Sequence, residues 1–239
     1  FNPVELFFLA YASLIHDIGN IFGREGHEKR AKDIIKDFPF NNDSIKRISI
    51  LIAKAHGGKG DPIKTLSSNI PYSNLPVKCQ EIASIIRFAD ECAEGEQRCF
   101  SYGLEKNLIN NSISETHHMY SKVTNVFIDV SSIKLNYHIS LDYFKSLEEL
   151  TNFLKFLFSR INKMNKERIY CGQYSTIIAQ YSSIDVSIEF ATDPLEHAFN
   201  NITFSLNNMS MLQCTSDPAD SDKYISEIIE DKIITKFYQ

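Results

Sequence analysis

The chain has 239 residues, 43% of them hydrophobic and 23% charged, with a net charge of −5. That is the composition of a globular protein with one sizeable core or two small ones, and its acidic balance excludes broad electrostatic binding of nucleic acid. Five cysteines without a Cys-x-x-Cys pair suit a reducing cytoplasm, and the absence of a signal peptide or an apolar run near 18 residues leaves no membrane span to expect.

An apolar, helix-like run from Val4 to Ile15 leads into His16-Asp17, with Gly19 two residues on. Neighbouring side chains inside a helix diverge by about 100°, so an imidazole and a carboxylate in tandem meet at one point only where a helix ends. His27 opens a second helix through Ala31, Ile34 and Ile35. Asp43-Ser44 can cap a third, whose apolar positions Ile45, Ile48, Leu51, Ile52 and Ala55 run up to His56. Gly57 to Pro62 and Asn69 to Pro76 read as loops. Val77, Ile82, Ala83, Ile86 and Ala89 then lead to Asp90, with Pro76 near the helix start. Residues 1–93 thus read as all-helical.

After Glu94-Gly-Glu-Gln the stretch from Leu104 to Tyr120 is rich in Asn and Ser and stays ambiguous. Val123 to Val130 reads as a strand, Ser131-Ser132 as a turn, and Ile133 to Leu141 as a second strand of strict two-residue period. Leu147, Leu150, Phe153, Leu154, Leu157, Phe158, Ile161 and Met164 form one helical stripe. Strands follow at Ile184–Phe190 and Ile202–Leu206, and a terminal helix after Asp217, Asp220 and Asp222. The fold class is therefore α+β: a helical domain over residues 1–100 and an α+β extension over 101–239. His117-His118 reads as an ordinary loop, His138 and His197 as surface residues, and Phe144, Phe153, Phe156 and Phe158 as core. No phosphate-binding Gly-rich loop ending in Lys-Ser/Thr and no Gly-x-Ser-x-Gly elbow is present.

Four helical segments each bring imidazole or carboxylate ligands to an end: His16 and Asp17, His27, His56, and Asp90. Gathered in one bundle they would form a core metal site of mixed N and O donors without thiolate, suited to Mn, Fe, Co, Ni, Zn or Mg. With Asp17 bridging two ions, His16 and Asp90 would hold one and His27 and His56 the other, an arrangement for in-line displacement at phosphorus by a metal-activated water. Lys29, Arg30, Lys54, Lys59 and Arg87 are cations that could hold phosphate oxygens, Lys54 and Arg87 beside Asp17 at the reacting group, although a single such charge is more often a solvated face.

This pattern resembles the HD superfamily of metal-dependent phosphohydrolases, in which the His-Asp doublet, two further histidines and a late aspartate bind one or two divalent ions. His16-Asp17, His27, His56 and Asp90 match those positions, and the resemblance covers residues 1 to about 100. Members act as cyclic-nucleotide phosphodiesterases, in some tRNA nucleotidyltransferases and as CRISPR-associated nucleases. Arg98 falls where an arginine often follows the late aspartate, which implies a hold on the helix end or on the substrate phosphate. The flanking spelling is similar to a bacterial subgroup with a C-terminal α+β extension, fused to an Hsp90-like ATPase module or found in antiviral defence systems. The resemblance implies cleavage of a phosphate ester or anhydride of a nucleotide or nucleic acid in the cytoplasm, with an ATPase module in the same polypeptide or operon and oligomers as open expectations. The family carries one more metal-binding His on the preceding helix. None precedes His16 in a chain that opens at Phe1, so that helix is expected upstream. Its true loss would instead leave a nucleotide- or metal-sensing module, or one that docks a partner.

Overall fold

Asn2 and Glu5 set the start of α1 (Pro3–Ile15) through a capping box, each side chain accepting the other's backbone N–H at 2.9 Å. The structure, a computed structural model, describes residues 1–23, 26–37, 42–57, 61–106, 108–109, 111–191 and 200–207. Lys59, His197 and the expected terminal helix lie outside the described residues. The chain divides into two compact units, Phe1–Glu91 with Glu167–Ala179, and Cys92–Lys166 with Gln180–Gln239.

In the first unit α1 is followed by a 3₁₀ turn (Ile18–Phe22), α2 (His27–Ile35), α3 (Asp43–Lys54), a hairpin of β1 (Ile70–Tyr72) and β2 (Leu75–Val77), and α4 (Cys79–Cys92). The core is the apolar stripe of each helix: Phe8, Ala12 and Ile15 from α1, Ile48 and Ile52 from α3, Ile82 and Ile86 from α4. Buried Glu5 also accepts the backbone N–H of Lys78 at 3.2 Å, which ties the start of α1 to the start of α4. Cys79 is fully buried as expected of a core residue, and burial pushes its thiol up to about 11.

The structure departs from the sequence expectations at three places. Asn42, not Asp43, caps α3, its side chain accepting from Ser44 and Ile45 at 3.0 and 3.2 Å. Residues 70–77 are a hairpin, so the first unit is not all-helical and α4 starts at Cys79. Ser73 and Asn74 both take positive φ, 51° and 64°, as a tight two-residue hairpin turn requires. The signal was masked because Pro71 and Pro76, poor strand residues, face each other across the ladder. Finally, Pro3–Phe22 is 20 residues long and, at a mean hydropathy of 1.2, apolar enough to cross a membrane by length and composition. Yet the α-helix stops at Ile15 and buries one face, including Glu5, inside the unit, which is the behaviour of a core helix.

Arg87 forks onto the Glu167 carboxylate at 2.6 and 2.7 Å and lies over the Tyr170 ring, 4.9 Å from its centroid. Tyr170 and Tyr174 donate to Asp61, and Gln80 holds the carbonyls of Ile63 and Leu66, so the segment after His56 is clamped between α4 and residues 167–174. Glu167→Ala should cost about 1.5–3 kcal/mol of stability, because it strands a mostly buried guanidinium. Urea denaturation measures this, and an unchanged midpoint would contradict it.

The second unit holds α5 (Ser101–Glu105), α6 (Ser112–Val123), β3 (Thr124–Ile128), β4 (Ser132–Ser140), the main length of α7 (Leu147–Gly172), β5 (Ser183–Ala191) and β6 (Asn200–Asn207). The sheet order is β3-β4-β5-β6, with antiparallel hairpins at both ends and a parallel β4–β5 pair in the middle that α7 connects. Inward residues Ile133, Leu135, Tyr137, Ile139, Ile184, Val186, Ile188 and Phe190 are buried, as are Leu150, Leu154, Leu157 and Ile161 of α7. The observed architecture is α+β with a helical N-terminal region. His117 and His118 sit in α6 rather than in a loop. His117 meets the Phe156 ring edge-on at 4.8 Å, and His118 Nδ1 accepts from the Phe100 backbone.

Candidate metal centre

His16 is the C-cap of α1 and still helical (φ −56°, ψ −39°), whereas Asp17 has left the helix (φ −102°, ψ 1°). That single change of backbone lets consecutive side chains turn toward one point. His16 Nε2 lies 3.8 Å from an oxygen of Asp17 and 3.8 Å from one of Asp90. On the other side of Asp17, Oδ1 lies 3.0 Å from His27 Nε2 and 3.5 Å from His56 Nε2, and those two nitrogens are 3.2 Å apart. The atoms that could hold a metal fall into two groups among the described residues, His16-Asp17-Asp90 and Asp17-His27-His56, with Asp17 common to both.

Two of the rings are fixed from behind. Nδ1 of His16 donates to the Ser13 carbonyl at 2.7 Å, and Nδ1 of His56 to the Ala53 carbonyl at 2.6 Å. With that proton committed, the neutral imidazole turns the lone pair of Nε2 inward, as a metal ligand must. Behind His27 stands Glu28, with its carboxylate 3.8 Å from Nδ1. Burial lowers the pKa of His56, while His16 is raised, first by the Asp90 carboxylate. His16 Nε2 is buried without a hydrogen-bond partner among the described residues. Three imidazoles, two carboxylates, no thiolate and one orphaned inward nitrogen fit divalent cations. Asp17 and Asp90 form the open edge, 43% and 38% exposed, while His56 at 4% forms the floor.

The expected phosphate-binding cations are placed unevenly. Lys54 ends α3 and Lys29 stands in the first turn of α2. Both are exposed and make no ion pair among the described residues. Arg30 donates to the Phe22 carbonyl and fastens α2 to the 3₁₀ turn. Arg87 is committed to Glu167 rather than left as an open cation. Arg98 holds the Ala93 carbonyl and Glu94 within the second unit, and so pins the exit from α4.

Sequence reading missed the supports. The Ser13 and Ala53 carbonyls have no side-chain signature, since every residue carries one. Gly19 did have a signal, its place in His-Asp-Ile-Gly. A Cβ there would overlap the His27 carbonyl oxygen, so glycine is what lets the 3₁₀ turn lie against the start of α2.

Residues 1–167 match the family model described as HD-CE. No curated protein and no solved structure matches the chain. The match extends well beyond the His-Asp doublet and takes in most of the sequence. On that ground, and with the doublet at the centre of its ligand cluster, the chain belongs to the HD-CE family, an HD-type family.

Proposed function

We propose that the chain is a metal-dependent phosphohydrolase that cleaves a phosphate ester or anhydride of a nucleotide or nucleic acid. The observation that carries this reading is the pair of ligand groups sharing Asp17. Divalent ions held there would lower the pKa of a water and offset charge growing on the phosphoryl oxygens. The chain's own residues do the rest. Ser13 and Ala53 fix the imidazoles, and the exposed carboxylate edge leaves room for a phosphate to approach. Lys54, which ends the helix just before His56, and Lys29, neither in an ion pair among the described residues, offer ammonium groups to its remaining oxygens. The net charge of −5 supports local engagement of the phosphate rather than a long nucleic-acid track.

The test is release of nitrophenol from bis(p-nitrophenyl) phosphate, followed by a panel of nucleotides and oligonucleotides, with Mn²⁺ or Co²⁺ supplied. Turnover that chelation abolishes is expected. Bound metal with no turnover across the panel would replace this reading with that of a sensing module. Lys54→Ala should lower kcat/KM by about tenfold, about 1.4 kcal/mol of transition-state stabilisation, and leave bound metal unchanged. Unaltered kinetics in that variant would remove Lys54 from the site.

A further inference from the structure

Within the second unit, the C-terminal ends of the parallel strands β4 and β5 and the end of α6 line a half-open cavity of about 300 Å³. That volume is at the lower end of small-molecule sites, and the carboxyl ends of parallel strands are where open α/β sheets place ligands. Its lining is electrically mixed. His138 Nδ1 is 2.9 Å from Glu189 Oε2 across the β4–β5 register, so these two groups satisfy one another. Lys122 and Glu96 also line the cavity, yet neither has an ion-pair partner among the described residues, and they do not pair with each other. Lys122 is held over the Tyr143 ring with Nζ 4.5 Å from the centroid. Ser140, 5% exposed, also borders the cavity, and its hydroxyl is itself buried with no hydrogen-bond partner among the described residues.

We propose that this cavity binds a small zwitterion of the size of a free amino acid. Two opposite charges in one cavity lining, neither of them in an ion pair among the described residues, are complementary to a ligand carrying both signs. The ligand's carboxylate pairs with Lys122 and its ammonium pairs with Glu96. A simple anion such as phosphate would meet two carboxylates, and a simple cation would meet Lys122. The site lies in the second unit and uses none of the metal-centre residues.

The experiment is calorimetric titration of the full chain with the free L-amino acids, their N-acetyl and amide derivatives, and inorganic phosphate. At least one amino acid should bind with a Kd of about 1 mM or tighter, and both of its derivatives should bind about tenfold more weakly or worse. Lys122→Gln and Glu96→Gln should each weaken it by a similar factor with the circular dichroism spectrum unchanged. No saturable binding up to about 10 mM would overturn the proposal. So would equal binding of the N-acetyl or amide form, a preference for phosphate, or unchanged affinity in both variants. Should a variant fail to fold, the comparison of derivatives on the native chain decides alone.

Discussion

Asp17→Ala should abolish metal binding in both halves of the centre and reduce the proposed phosphohydrolase activity by about 10³-fold or more. Asp17 is the only side chain common to the two ligand groups, so its loss leaves His16 with Asp90 on one side and His27 with His56 on the other. Two donors without a shared anionic bridge hold a divalent ion weakly against water. Stability of the metal-free chain should change little, because the carboxylate is 43% exposed. Asp17→Asn provides the sharper comparison, since it keeps the shape and removes the charge. Elemental analysis after reconstitution measures the effect, together with turnover of the model diester. Retention of a full complement of metal by Asp17→Ala would show that the cluster is held in some other way.

Gly19→Ala should lower stability by about 1–3 kcal/mol and weaken metal binding by about tenfold or more, although Gly19 is not itself a ligand. A Cβ at this position overlaps the backbone carbonyl oxygen of His27, which no side-chain rotation can relieve. Either the 3₁₀ turn or the first turn of α2 must move, and both carry a candidate ligand, Asp17 at one end and His27 at the other. Gly57→Ala beside His56 is the control. Its Cβ would meet only the Glu28 Cβ at 3.9 Å, an ordinary contact, and the substitution should be close to neutral. Thermal melts with and without Mn²⁺ read both quantities. Equal behaviour of the two variants would mean that the approach of the turn to α2 does not matter for the site.

The parts of this molecule that sequence made legible are those written in side-chain periodicity. The two-residue alternation from Ile133 to Ile139 and from Ile184 to Phe190 gave two strands whose inward residues are buried. The apolar stripe from Leu147 to Met164 gave α7, and imidazoles and carboxylates at helix ends gave the candidate ligands that converge on Asp17. Where periodicity is weak, the sequence was opaque. α6 begins at an Asn111 cap and buries only Tyr120, Ser121 and Val123 near its end, so tertiary packing rather than an amphipathic stripe selects helix there. The last turns of α7 fall in the first unit because Glu167 and Tyr170 find Arg87 and Asp61, partners about eighty and a hundred residues distant that no local pattern can announce. The same limit explains Arg87, whose charge looked free until Glu167 was placed beside it.

The most direct measurement is the anomalous difference map of crystals grown with Mn²⁺. Peaks within bonding distance of Asp17, flanked by His16 and Asp90 on one side and by His27 and His56 on the other, are the predicted result. Full-length protein that shows no peak at Asp17, with Mn²⁺ in excess and these side chains ordered, would contradict the metal centre and the hydrolytic reading that rests on it.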